Sequence, residues 1–171
     1  IETLHEGEVL GLIGLLGAGR TELALALFGM SRLDRGELAV EGRSVSFTSN
    51  QGAIAAGIAY VSEDRLSRGV NLQQSIADNI SLAVLDRLAS RFGFVSSERR
   101  NGLAADWIQR LNIKAPRIAA AVQTLSGGNQ QRVVLAKWLA TNPKVLILDG
   151  PTVGVDIRNK QGIYDVVRQL A

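Results

Sequence analysis

Residues 9–27 read VLGLIGLLGAGRTELALAL. An apolar run, Val9 to Ile13, leads straight into glycines at 14, 17 and 19, after which Leu23, Ala26 and Leu27 recur at helical spacing. The stretch predicts a strand, a glycine-rich turn and a helix. Downstream, GELAVEGRSVSF alternates Leu38 and Val40 with polar or small residues around Glu41-Gly42, which predicts a β-hairpin, and a second strand is expected over Gly57 to Val61. The polar run Ser62 to Gly69, SEDRLSRG, reads as an exposed loop. Near the other end, VLILD from Val145 to Asp149 is strongly β-prone, and helical periodicity returns from Arg158 through Ile163, Val166, Val167 and Leu170. Between these ends the patterns are helical. Ser75 to Arg91 spaces Ile76, Ile80, Ala83, Val84 and Leu88 by threes and fours behind a Ser75 cap, and Glu98 to Leu111 puts Leu103, Trp107, Ile108 and Leu111 on one face. Ser126 caps a third helix through Leu139, which ends before Asn142-Pro143. Strands alternating with helices at both ends of a helix-only middle give an α/β class, with a parallel core shared by the two ends and an inserted helical subdomain.

The 171 residues correspond to about one domain, and 46% hydrophobic with 20% charged residues is a globular composition that excludes disorder as the main state. Nineteen Lys and Arg against sixteen Asp and Glu leave a net charge of +3, too small a surplus to imply nucleic-acid binding. The absence of cysteine removes disulfides, Cys-ligated zinc, iron–sulfur clusters and thiol catalysis, and the single histidine, His5, cannot build a His-rich metal site. The longest nearly apolar stretch, Val9 to Leu16, is far shorter than the roughly 18 residues of a spanning helix. The opening IETLHEGE carries acidic residues where a secretory signal would be positive, so a cytosolic chain, or a piece of one, is expected.

Gly14 to Thr21, GLLGAGRT, fits G-x-x-x-x-G-K-[ST] at every fixed position except 20, where arginine replaces lysine. Glycines at these places let backbone N–H groups close on phosphate oxygens, and the following helix adds the positive end of its dipole. Arg20 keeps the charge in a planar fork that differs from the compact ammonium, and Thr21 is placed to put its hydroxyl on Mg²⁺. A tightly packed turn with no ligand remains the alternative on this motif alone. Asp149, at the C-terminal end of a buried strand, is placed to hold Mg²⁺ through water or, alternatively, to make an ordinary turn. In hydrolytic relatives of this arrangement a glutamate follows the aspartate and polarises the attacking water. Here the residue is Gly150, which has no proton acceptor, so poor hydrolysis is expected.

The segment LSGGNQQ, Leu125 to Gln131, decides between the alternatives. Together with GEVLGLIGLLGAGRTEL, AYVSEDR, the run from Thr124 to Asp149, and PTVGVD, it resembles the nucleotide-binding subunit of ABC transporters. More narrowly, it resembles the second ATPase half of the fused ATPases of bacterial simple-sugar importers for ribose, galactose or xylose. The resemblance runs from about Glu6 to the end. It implies a P-loop NTPase (RecA-like) core over 1–64 and 143–171, with an antiparallel β subdomain and an inserted helical subdomain over 65–142. ATP and Mg²⁺ are the implied cofactors. Gly14, Leu15, Leu16, Gly17, Ala18, Gly19, Arg20, Thr21 and Glu22 would contact nucleotide, with Thr21 and Asp149 on the metal.

The serine of the signature sits at a helix N-cap, and Gly127 and Gly128 leave the first amides unobstructed, so the corner offers a hydroxyl, free N–H groups and a dipole to a phosphate. Family knowledge implies a head-to-tail pair in which Ser126, Gly127, Gly128 and Asn129 serve the partner's nucleotide. Glu63 falls where many ABC domains have the glutamine that senses nucleotide and touches the permease, and it joins Asp149 and Gly150 in the expected hydrolytic set. The D-loop maps to Val153, Gly154, Val155 and Asp156. Glu63 and Asp156 could equally be solvated loop charges. The adenine-stacking aromatic would precede Ile1 and the switch histidine would follow Ala171, so a piece of a longer chain is expected. The implied partners are a second ATPase half, a transmembrane permease docking on about Ser75 to Val122, and, indirectly, a periplasmic sugar-binding protein. No nucleic acid is expected, and the location implied is peripheral, on the cytoplasmic face of the membrane. Two other readings stay open: an ABC ATPase of DNA repair or translation, and a pseudo-ATPase suggested by Arg20 and Gly150.

Overall fold

The structure is a computed structural model that describes residues 3–15, 17–153 and 157–170. The glycine-rich turn feeds helix α1, Arg20–Leu27. Strands β1, Leu38–Val40, and β2, Arg43–Val45, pair antiparallel. They are joined by Glu41 and Gly42 at φ 51° and 73°, the two left-handed residues that a tight hairpin turn requires. Helix α2, Asn50–Ala55, precedes β3, Ile58–Val61, which is buried along its whole length. A π-helical turn, Arg65–Gly69, then leads to α3, Ile76–Ser81, the 3₁₀ turn Leu82–Val84, and α4, Leu85–Leu88. Helix α5, Ser97–Arg110, a 3₁₀ turn at Val122–Thr124 and α6, Gly127–Leu139, complete the helical middle. Strand β4, Val145–Leu148, and helix α7, Ile157–Leu170, follow.

The two ends of the chain share a sheet. Strands β3 and β4 pair in parallel with Ile58 opposite Val145 and Val61 opposite Leu148. The helical middle is therefore the crossover between two parallel neighbours, longer than a single helix. One core cluster joins Val61 to Ile76, Ile80, Val122, Val133 to Ala136 and Ile163, and so fastens the helical insertion to the sheet. A second holds Ala24, Phe28, Ala53, Ile58 and Tyr60 and fastens α1 to β3.

Three expectations need correction. The run Val9 to Ile13 forms no strand; Val9, Leu12 and Ile13 are exposed. A strand satisfies its backbone groups only across a ladder, and this short run, broken by Gly11, has none among the described residues. The segment Ser75 to Arg91 is not one helix. The Ser75 hydroxyl accepts from the Asp78 amide as expected of a cap, but the buried Ser81 hydroxyl donates back to the Ala77 carbonyl at 2.8 Å, and regular α geometry gives way at that point. The stretch Ser62 to Gly69 is not simply an exposed loop. Ser62 and Gly69 are buried, and the Asp64 carboxylate caps the π turn by accepting from the Ser67 amide at 3.0 Å.

Candidate functional site

The turn before α1 holds Gly17 at φ 78° and Gly19 at φ 82°, left-handed conformations that glycine adopts without penalty. Gly19 is the N-cap and has no side chain to cap with. The Leu23 amide makes the first bond of the helix, to the Gly19 carbonyl at 2.9 Å, so the amides of Arg20, Thr21 and Glu22 have no acceptor within the helix. They and the dipole make this corner a seat for an anion. The Ala18 amide differs from the expectation, because it closes the turn on the Leu15 carbonyl at 3.1 Å. Gly14 supports the turn from outside: a Cβ there would come 3.0 Å from the Ala18 Cβ.

Across from this corner, the ladder of β3 and β4 continues as the Asp149 amide donates to the Val61 carbonyl at 2.9 Å. The Tyr60 hydroxyl donates to Asp149 Oδ2 at 3.0 Å. Burial, followed by the bond to Asp149 and its charge, pushes the Tyr60 phenol above its usual pKa against a lowering contact with Ser62, so the phenol stays protonated as the donor. The Tyr60 ring packs on Phe28, 5.5 Å away, at the end of α1. Helix and strand are thereby held in one unit around the carboxylate. Sequence reasoning missed Tyr60; the signal available was a hydroxyl-bearing ring in an otherwise apolar strand.

Gly17 to Glu22, Glu63, Asp149, Gly150 and Val153 line one cleft of about 370 Å³. A second lobe of about 430 Å³ shares Thr21, Glu63, Asp149 and Val153 and adds Ser62, Asp64 and Arg68. Gly14 and Leu15 do not line the cleft, and Leu16 lies outside the described residues, as do Gly154, Val155 and Asp156. Among the described residues no three acidic or histidine side chains gather to make a complete metal shell. The Thr21 hydroxyl and Asp149 carboxylate in the same cleft fit a hard cation that takes its remaining oxygens from phosphate and water, which is how Mg²⁺ is usually held.

The signature corner is separate: none of Ser126 to Asn129 lines that cleft. Ser126 is the N-cap of α6, yet its side chain makes no capping bond. Its Oγ accepts from Asn129 Nδ2 at 2.9 Å, which leaves the hydroxyl proton for an outside acceptor. Asn129 itself is buried, and its Oδ1 accepts from the Lys114 amide at 2.8 Å. Gln130 donates to the Leu125 carbonyl at 3.1 Å. Asn129, expected to serve a partner's nucleotide, is thus engaged inside the fold, and it acts on the corner by orienting Ser126.

Residues 2–153 match the family described as ABC transporter. A ribose import ATP-binding protein of Streptomyces avermitilis is 49% identical over 168 residues, covering 98% of this chain and 33% of that protein. One from Geobacillus kaustophilus is 45% identical over 169 residues, covering 99% and 34%. The chain spans about a third of the length of the curated relatives it matches. Among solved structures, a dimeric ATP-binding cassette in a post-hydrolysis state with ADP and Pi superposes with a TM-score of 0.81 at 22% identity, covering 99% of this chain and 72% of that one. A nucleotide-free cassette from an ABC transporter superposes with a TM-score of 0.74 at 19% identity, covering 90% and 62%. At these identities the likeness concerns the fold.

Proposed function

The chain belongs to the ABC transporter family and has its P-loop NTPase fold, and from that premise we propose that it is one ATP-binding half of an importer for a simple sugar. The single observation that carries the reading is the cleft that unites Gly17 to Glu22 with Glu63 and, from the far end of the chain, Asp149 and Gly150. The ribose import relatives supply the class of cargo.

In this reading the amides of Arg20, Thr21 and Glu22 and the Arg20 guanidinium hold the terminal phosphates. Gly14, Leu15 and Leu16 form the far arm of the turn. Thr21 and Asp149 hold Mg²⁺, which would neutralise charge developing on the phosphates. Tyr60 keeps the Asp149 carboxylate in one orientation through its bond to Oδ2. The corner Ser126, Gly127 and Gly128 serves nucleotide bound by a second ATPase half, with Asn129 aiming the Ser126 hydroxyl. Residues 1–64 and 143–171 act as the nucleotide core and 65–142 as the helical part that docks on a permease at the cytoplasmic face of the membrane. A periplasmic sugar-binding protein would deliver the cargo.

Gly150 itself offers no carboxylate to local hydrolysis, and the domain contributes by binding nucleotide and by completing its partner's site. The test is photolabelling of the full-length protein with azido-ATP. Label is expected on the peptide containing Gly17 to Thr21, raised by Mg²⁺, with that increase lost in Asp149→Asn. An unlabelled peptide would refute the reading of the cleft, and failure of the protein to co-purify with an integral membrane permease would refute the import assignment.

A further inference from the structure

The register that builds the sheet also bears on the missing acid. Strands β3 and β4 pair with a constant offset, Ile58 with Val145 through Val61 with Leu148. Carried two residues further, the same offset sets Ser62 beside Asp149 and Glu63 beside Gly150. The side chains agree with this extension: an ideal Cβ on Gly150 would lie 3.2 Å from Glu63 Cγ and 3.4 Å from Glu63 Cβ. Glu63 therefore packs against the bare Cα of Gly150, and it lines the cleft that Thr21 and Asp149 also line.

We infer that Glu63 is the general base of this site, supplying from the neighbouring strand the carboxylate that position 150 lacks. The inference rests on the nucleotide reading above and adds a chemical role to it. A Cβ at 150 would press on the Glu63 side chain, so the glycine leaves Glu63 its place at the strand ends. In the step assigned to it, Glu63 accepts a proton as water attacks the γ-phosphorus, the bond from that phosphorus to the bridging oxygen breaks, and ADP leaves with the electron pair. Glu63 then returns the proton to the products.

Glu63→Gln tests this, because it keeps the shape and removes the acceptor from an exposed residue whose loss does not threaten folding. The full-length protein is incubated with azido-ATP, Mg²⁺ and orthovanadate, which traps nucleotide only where turnover has occurred, and the label is mapped to the peptide carrying Gly17 to Thr21. Trapping there is expected to fall by about a hundredfold in Glu63→Gln. Binding without vanadate should be at least as tight as in the unaltered protein, since a negative charge has been taken from beside an anion. Trapping that matches the unaltered protein, or a loss of binding as large as the loss of trapping, overturns the role of Glu63. An unaltered protein that binds at this peptide without trapping overturns it too. Absence of binding at the peptide overturns instead the nucleotide reading.

Discussion

Gly150 has φ 56°, and Glu63 Cγ stands 3.2 Å from the place its Cβ would occupy. Left-handed backbone costs a residue with a side chain roughly 1–2 kcal/mol, and the close contact adds to it. Gly150→Glu is therefore expected to lower the unfolding free energy by about 1–3 kcal/mol in denaturant titrations without accelerating phosphate release, and Glu63→Ala in the same chain should relieve part of the loss. A rate gain from Gly150→Glu alone would contradict this. Tyr60→Phe keeps the packing on Phe28 and removes the donor to Asp149 Oδ2. It should cost about 1 kcal/mol of stability and raise the Mg²⁺ concentration needed for half-maximal nucleotide labelling about tenfold. Thr21 and Asp149 were legible because motif spacing names them. Tyr60 was not, because its hydroxyl reaches Asp149 only after β3 and β4 have paired.

Helix α6 connects the signature corner to the loop behind Glu63. Lys137, almost fully buried on α6, donates to the Gly69 carbonyl at 2.6 Å, and its ammonium lies 4.9 Å from the Trp138 ring centre. A Cβ on Gly69 would meet Val134 Cγ2 at 3.0 Å, so the π turn and α6 are in close contact. Burial lowers the Lys137 pKa from 10.5 to about 8. Between those values the unfolded chain binds more protons at this site than the folded one, so this residue makes stability rise as pH climbs from about 8 to 10.5. The rise is of the order of 3 kcal/mol, and Lys137→Met should flatten it in unfolding curves taken across that window. α5 and α6 were legible because their spacing is local. The break at Ser81 was not, since a serine facing back to its own helix reads the same in sequence as one facing out.

At the scale of the molecule, the cleft and the Ser126 corner are built as separate surfaces of one domain. This arrangement suits a head-to-tail pair, in which each half completes the other's site. Ser126→Arg fills the corner with a bulky cation and should reduce ATP hydrolysis by the full-length protein at least tenfold, while labelling of the Gly17 to Thr21 peptide stays within about twofold. Equal losses of both would mean that the two surfaces serve one nucleotide.

The sequence by itself determined the glycine turn and the helix it feeds, the signature corner, the acid at the end of VLILD, and the family, because these are encoded in residue identities at short fixed spacings. Tertiary structure decided which of them meet. Pairing β3 with β4 brought Glu63 against Gly150 and Tyr60 onto Asp149; elsewhere the Asn129 side chain is spent on the Lys114 amide, and Val9 to Ile13 have no ladder among the described residues. A helix satisfies its own backbone within a few residues, whereas a strand, and any site built across strands, depends on partners distant in the chain, so its geometry exists only once they have come together.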